Sequence, residues 1–470
     1  MQHDLYRLPI RKLGTQLRAR AFTATQLLDH FLERIARINP ALNAIVALDE
    51  AGARQAAAEA DARFAAGQPL SALDGIPVAI KDNILVKGMP CVWGTELYRD
   101  YQPDHDELPV TLLKEAGAVI IGKTNVPEFT LRGFTSNTVY GPTGNPWNPE
   151  LTPGGSSGGS VSAVAAGLVP YSLGTDGGGS IRRPSGYNNL VGLKPSIGRI
   201  ARANGLPALM NDCEVVGPIA RTSDDVRLIM ATIGGANPAD QRSHGFADIA
   251  FTAVKPPRLK ILFVERFGDA PVDPEIAAHC RAAAEKLAAL GHEVEYGELP
   301  LSIDAVTAGW GKLGNAGLAM LAAQKPDFYE KVSPAFADQA RAGGKLGAAE
   351  YIAFLELLVA FRAEAGAVFE TVDVIMTPSS AANPWPKAQQ FPPVIDGKDA
   401  GPRGHAVFTG WVNACGHPGL ALPAEPGASG MPIGFQLVGG FGCDDLLLDL
   451  AGEYEAASPW ANRWPDIASM

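Results

Sequence analysis

Residues 152–184, TPGGSSGGSVSAVAAGLVPYSLGTDGGGSIRRP, carry two serine-bearing glycine clusters, GGSSGG at 154–159 and DGGGS at 176–180. Glycine costs backbone entropy on folding, so a cluster of it needs a structural use. Gly177, Gly178 and Gly179 let the chain bend tightly and turn several N–H groups toward one point, a cup suited to an oxyanion. Ser180 ends that cup and is placed as a nucleophile. A serine hydroxyl needs a base to take its proton. The candidate is Lys81, in GIPVAIKDN at 75–83, where residues 78–80 read as a short buried strand that carries the lysine inward. Burial disfavours an ammonium, so the amine pKa falls and the neutral form can accept a proton.

GGSSGGS, then DGGGSIRRP, then GLKPSIGR, with PVAIKDN upstream, resemble the amidase signature family. The resemblance runs from about residue 25 to the C-terminus and is strongest over 75–221. It implies a triad of Lys81, Ser156 and Ser180, with a cis peptide before Ser156. It also implies an acyl-serine route: Lys81 draws a proton through Ser156 from Ser180, Ser180 attacks an amide carbonyl, and Ser156 protonates the leaving nitrogen. Supporting roles fall to Ser157 as a helix N-cap, and to Asp176 and Arg182, which hold the cup through an ion pair or backbone hydrogen bonds. Lys194 is expected to be structural. The implied partner is a small-molecule amide, the implied assembly a homodimer, and no metal or organic cofactor is implied. A second member of the same family, the glutaminase subunit of a tRNA-dependent amidotransferase, would share these residues. Its tyrosine- and serine-rich stretch is not evident in residues 313–349, which favours a stand-alone amidase. A non-catalytic amide-binding homologue is disfavoured because all three triad side chains are present. Trp310, Phe328, Tyr329, Trp385, Phe391 and Trp411 could line a substrate pocket or belong to the core, with core ahead for most; they lean toward aryl or medium-sized aliphatic amides.

Composition bounds the remaining choices. The 470 residues are 46% hydrophobic and 19% charged, ample for a large core, and the net charge of −11 argues against nucleic acid as a partner. The first residues lack an apolar leader segment, and no apolar run reaches membrane-spanning length. Cys91, Cys213, Cys280, Cys415 and Cys443 show no CxxC spacing, which argues against zinc and for reduced thiols in the cytoplasm.

The elements that position these residues alternate strands and helices, which predicts an α/β fold: one large domain with a central mixed sheet covered by helices on both faces. Residues 1–70 read as a helical N-terminal layer packed on a main domain of 71–470. In it, residues 15–38 are expected to be helical, with a good helix beginning at Thr23 and ended by Pro40, and a further helix over 50–66. A helix over 109–116 and a strand over 118–121 follow. A strand at 259–264, a helix over 274–290 capped by Asp273, and a strand at 292–299 form a further unit. Residues 301–367 read as helical, 373–376 and 434–438 as strands, and 383–393 as a long irregular loop. Three pattern matches conflict with this frame. Residues 117–124 fit GxxxxGK[ST], but their variable positions are themselves an apolar strand, unlike a phosphate-binding loop. Residues 154–158 fit G-x-S-x-G, with His417 as a conceivable base, but the residues upstream are loop-like. His279 with Cys280 reads as helix decoration, not as a metal site.

Overall fold

The computed structural model describes residues 4–246, 250 and 252–467. Its N-terminal segment, expected to be helical over 15–38, forms two helices, Ile10–Arg18 and Ala24–Leu42. Arg20 takes a left-handed φ of 55° between them, and Thr23 restarts the chain. The Thr23 side chain accepts from Gln26 N at 3.0 Å and Gln26 Oε1 accepts from Thr23 N at 3.0 Å, a reciprocal capping box. Pro40 does not end this helix. It lies in the last turn, where it forfeits one backbone hydrogen bond, and the helix stops at Asn43, whose φ is 51°. Asn39 Oδ1 then accepts from Ala44 N and Ile45 N at 3.0 and 2.8 Å, which turns the chain into a strand.

That strand is β1 (Ile45–Leu48). It is followed by the expected helix Glu50–Ala66, then β2 (Pro77–Lys81), β3 (Val119–Thr124), β4 (Tyr171–Asp176), β5 (Val191–Lys194) and β6 (Val215–Ala220). After these come β7 (Lys260–Phe263), β8 (Glu293–Tyr296), β9 (Val374–Pro378), a small hairpin of β10 (Val394–Ile395) and β11 (Lys398–Asp399), β12 (Gly419–Pro423) and β13 (Gly434–Gly439). All but the hairpin join one eleven-stranded sheet in the order β1-β3-β2-β4-β6-β5-β12-β13-β9-β7-β8. Pairing is parallel for β3-β2-β4 and β9-β7-β8 and antiparallel elsewhere. The mixed α/β sheet is therefore as expected. Residues 1–70 contribute an edge strand to it as well as helices.

The parallel trio requires crossovers. Helix Leu108–Glu115 links β2 to β3, and helix Gly158–Ala165 links β3 to β4. The unit β7, helix Pro274–Ala289, β8 stands as read, with the Asp273 side chain accepting from Glu275 N at 2.9 Å. β1, β5, β6 and β12 were not anticipated. β3 contains the Gly-Lys-Thr of the GxxxxGK[ST] match: Lys123 is fully buried and donates to Ile84 O at 2.8 Å, so these residues form sheet and not a phosphate loop.

Candidate active site

β2 and β4 run parallel, with Val78, Ala79 and Ile80 opposite Tyr171, Ser172 and Leu173. Their carboxyl ends therefore emerge side by side, and open α/β sheets place sites at such ends. Lys81 closes β2; Thr175 and Asp176 close β4. Lys81 is fully buried, and its Nζ lies 2.8 Å from Ser156 Oγ, 2.8 Å from Thr175 Oγ1 and 3.0 Å from Thr175 O. Burial pushes its pKa down to about 7; Glu214 and Asp176 hold it up, and Arg202 lowers it further. The three contacts differ in kind. A carbonyl can only accept, and Thr175 Oγ1 can donate its own hydrogen bond to Asn83 Oδ1, 3.4 Å away. A neutral amine donating twice to Thr175 keeps its lone pair for the Ser156 hydroxyl.

Ser156 is 1% exposed and follows a cis Gly155–Ser156 peptide. Gly155 is required there: a Cβ would stand 2.5 Å from Phe134 O. Ser157 precedes helix Gly158–Ala165 but does not cap it, contrary to expectation. Its Oγ turns back to Thr175 O at 3.2 Å, and Thr135 Oγ1 accepts from Gly158 N in its place, also at 3.2 Å. Ser157 N donates to Ser180 O at 3.1 Å, which brings the two serine clusters together. Ser180 itself is 7% exposed.

Asp176 organises the glycine cup. Its Oδ1 accepts from Gly179 N at 2.6 Å and Gly178 N at 3.3 Å, and its Oδ2 from Ile181 N at 3.0 Å. Arg182 reaches the same carboxylate through Nε and Nη2, both at 3.0 Å, and both side chains are fully buried. Burial alone would raise the Asp176 pKa; Arg182, the backbone N–H groups and Asn413 hold it well below the usual carboxylate range. Distant elements complete the cup. Asn413 Nδ2 donates to Asp176 O at 2.8 Å, Thr409 Oγ1 donates to Gly178 O at 2.8 Å, and Arg182 Nη1 donates to Gln436 Oε1 at 2.9 Å. Gly179 has a φ of 108°, and a Cβ on it would meet Thr409 Oγ1 at 2.2 Å.

A cavity of about 220 Å³ opens beside this arrangement, lined among others by Asn83, Trp93, Glu107, Arg202 and Glu214. His417 lies elsewhere: its Nδ1 faces Gly439 O at 3.0 Å and its ring packs on Phe369. Burial pushes it down to about 4.

The amidase family model matches residues 26–448. The chain belongs to the amidase signature family. Among its relatives, the putative amidase AmiA2 of Mycobacterium bovis is 36% identical, covering 98% of this chain and 96% of its own. A glutamyl-tRNA(Gln) amidotransferase subunit from Picosynechococcus sp. is 32% identical, covering 97% of this chain and 99% of its own. The crystal structure of a bacterial aryl acylamidase of the same family superposes with a TM-score of 0.90 at 27% identity, covering 98% of each chain.

Within this amidase signature fold the remaining candidates separate. Trp310 borders the cup, its Nε1 3.7 Å from where a Cβ on Gly178 would stand. Phe328 packs with Phe129 and Phe336, Trp385 with Phe134 and Tyr187, and Trp411 is buried near Val412 in the core. Tyr329 is exposed and Phe391 half-buried. Lys194 donates to Pro195 O and His417 O at 2.8 and 2.7 Å, a structural use. Asp82 binds locally, its Oδ2 accepting from Val92 N and Trp93 N. His279 and Cys280 belong to no metal cluster: among the described residues no group of three or more His, Cys, Asp or Glu could hold an ion. Thr175, Thr409, Asn413 and Gln436 were missed. Thr175 could have been noticed as the polar residue beside Asp176; the other three lie more than 200 positions away with no local signal.

Proposed function

We propose that this amidase signature protein is a stand-alone amidohydrolase that cleaves a carboxylic amide through an acyl-Ser180 intermediate. Neutral Lys81 accepts a proton from Ser156, Ser156 takes one from Ser180, and Ser180 attacks the carbonyl. Residues 177–180 hold the oxyanion through backbone N–H groups. Those of Gly177 and Ser180 carry the larger share, because Asp176 already takes up Gly179 N at 2.6 Å. Ser156 then protonates the leaving nitrogen, which departs poorly as an anion, and water hydrolyses the ester by the same relay. The observation that carries this reading is the buried Lys81 amine, held near neutrality and 2.8 Å from Ser156 Oγ. A pKa close to the working pH suits a general base.

Ser180→Ala should release no ammonia or amine from any amide the parent protein cleaves, while melting at the same temperature. Full activity in that variant would refute the nucleophile assignment. The similarity to an amidotransferase component over nearly the whole chain supports a second reading, a glutaminase that works with a partner. Glutamine hydrolysis that appears only with a co-purified partner would favour it; turnover of simple amides by the isolated chain favours the first. We place the protein in the cytoplasm on its five unpaired thiols and take a homodimer as its assembly from the family resemblance. No helix among the described residues is long and apolar enough to cross a membrane.

A further inference from the structure

We propose that the 220 Å³ cavity beside the glycine cup is the subsite for a cationic substituent of the amide substrate, with Glu214 as its anchor. The proposal rests on the amidase reading and names the substrate class of that same site. Position comes first. A Cβ on Gly177 would lie 3.4 Å from Glu214 Cβ, so the cavity begins at the first residue of the cup. Asn83 in its wall donates to Thr175 Oγ1 at 3.1 Å, and Thr175 Oγ1 is 2.8 Å from Lys81 Nζ. A substrate group in the cavity therefore lies one layer of side chains from the lysine.

Charge decides what that group is. Arg202 sits between two carboxylates, its Nε on Glu107 Oε1 at 2.8 Å and its Nη1 on Glu214 Oε1 at 3.2 Å. Arg242, also in the wall, is bound by Asp240 at 2.9 Å. Glu107 and Glu214 thus share the one guanidinium of Arg202 in the wall, while Arg242 is taken up by Asp240 outside it. Glu107 is fully buried, but the Glu214 side chain is 22% exposed. Among the described residues no donor reaches Glu214 Oε2. An anionic substituent would meet this carboxylate, and Arg202 already gives its Nε to Glu107 and its Nη1 to Glu214. An apolar one would strip water from Asn83, Asn211 and Glu214 without replacing its hydrogen bonds. An ammonium or guanidinium supplies the missing donor. The net charge of −11 favours the approach of cations from a distance.

The test compares three amides of equal chain length: ω-aminoalkyl, alkyl and ω-carboxyalkyl. The expected kcat/KM order is cation, neutral, anion, with the cation ahead of the anion by about ten-fold at low salt and the gap narrowing as salt is added. Glu214→Gln should bring that ratio to within about three-fold, and Glu214→Asp should keep part of it. Melting temperatures identify variants that fold. An anion preferred by the parent protein, or a ratio that neither folded variant moves, overturns the inference. Independently of turnover, n-butylammonium should slow fluorophosphonate labelling of Ser180 more than butyrate does. Labelling without that difference overturns the inference alone; no labelling at all overturns the amidase reading and the inference with it.

Discussion

Lys81 is the proposed general base, and its burial has a thermodynamic consequence. Its amine is held near 7 in the folded chain against 10.5 in solution. Below about pH 7 both states bind the proton and the folded state bears the full desolvation cost. Between about 7 and 10.5 only the unfolded chain stays protonated, so stability rises with pH across that window. Lys81→Met should therefore be inactive yet more stable than the parent, on the order of a few kcal/mol at neutral pH. Its advantage should shrink as pH approaches 10.5, as urea titrations at several pH values would reveal. A variant less stable than the parent would contradict the proposed burden. Ser156 has two proposed duties, relaying the proton from Ser180 and returning it to the leaving nitrogen. An ester leaving group needs little protonation. Ser156→Ala should thus lose more activity on an amide than on the matching ester, by about 10- to 100-fold in relative kcat/KM; equal losses would remove the second duty.

At the scale of elements, the cup is a loop held by one carboxylate. Asp176 binds four backbone N–H groups of the turn and helix start and pairs with Arg182 in full burial. Asp176→Asn leaves the Arg182 guanidinium buried with its charge unpaired, which costs about 3–5 kcal/mol. Thermal unfolding should show a drop of many degrees, and kcat should fall further than KM rises because the proposed oxyanion donors lose their register; an unchanged melting temperature would deny Asp176 this role. The glycine clusters, their serines and Lys81 could be singled out in sequence by clustering and by motif resemblance; what the sequence does not show is that Gly155 and Gly179 sit where a Cβ would strike Phe134 O or Thr409 Oγ1. The helix at 50–66 was legible from its alanine-rich composition, and that at 274–289 from its Asp273 cap. β5, β6 and β12 were not, because they carry glycine or proline where turns usually do. Gly217 in β6 is the clearest case, since a Cβ there would stand 2.0 Å from Leu193 O. The cap on helix Gly158–Ala165 was misplaced for a related reason. Ser157 is the nearest hydroxyl in sequence, but Thr135 is the one that arrives in space.

For the whole molecule, the sheet is continuous from β1 to β8, and the N-terminal residues are stitched to distant parts of the chain. Arg34 donates to Ala166 O and Gly167 O at 2.8 Å, and Ile10 N donates to Asp225 Oδ1, also at 2.8 Å. Leu27, Leu28, Phe31 and Ile35 lie in the same core as Leu173 and Val164. The boundary near residue 70 is thus proposed to divide layers, not folding units. A chain lacking residues 1–70 should fail to fold, as limited proteolysis and circular dichroism would show; a stable, active remainder would make the N-terminal layer an appendage. The central claim joins all three scales: a sheet that buries an amine, a loop that offers a hydroxyl, and a serine between them. The most direct test is the rate at which a fluorophosphonate labels the protein as a function of pH, with the modified residue located by mass spectrometry. The expected result is modification at Ser180, rising with pH around a midpoint of about 7, and lost in Lys81→Met and Ser156→Ala. Labelling at another residue, or at Ser180 with the same rate and pH profile when Lys81 is replaced, would contradict it.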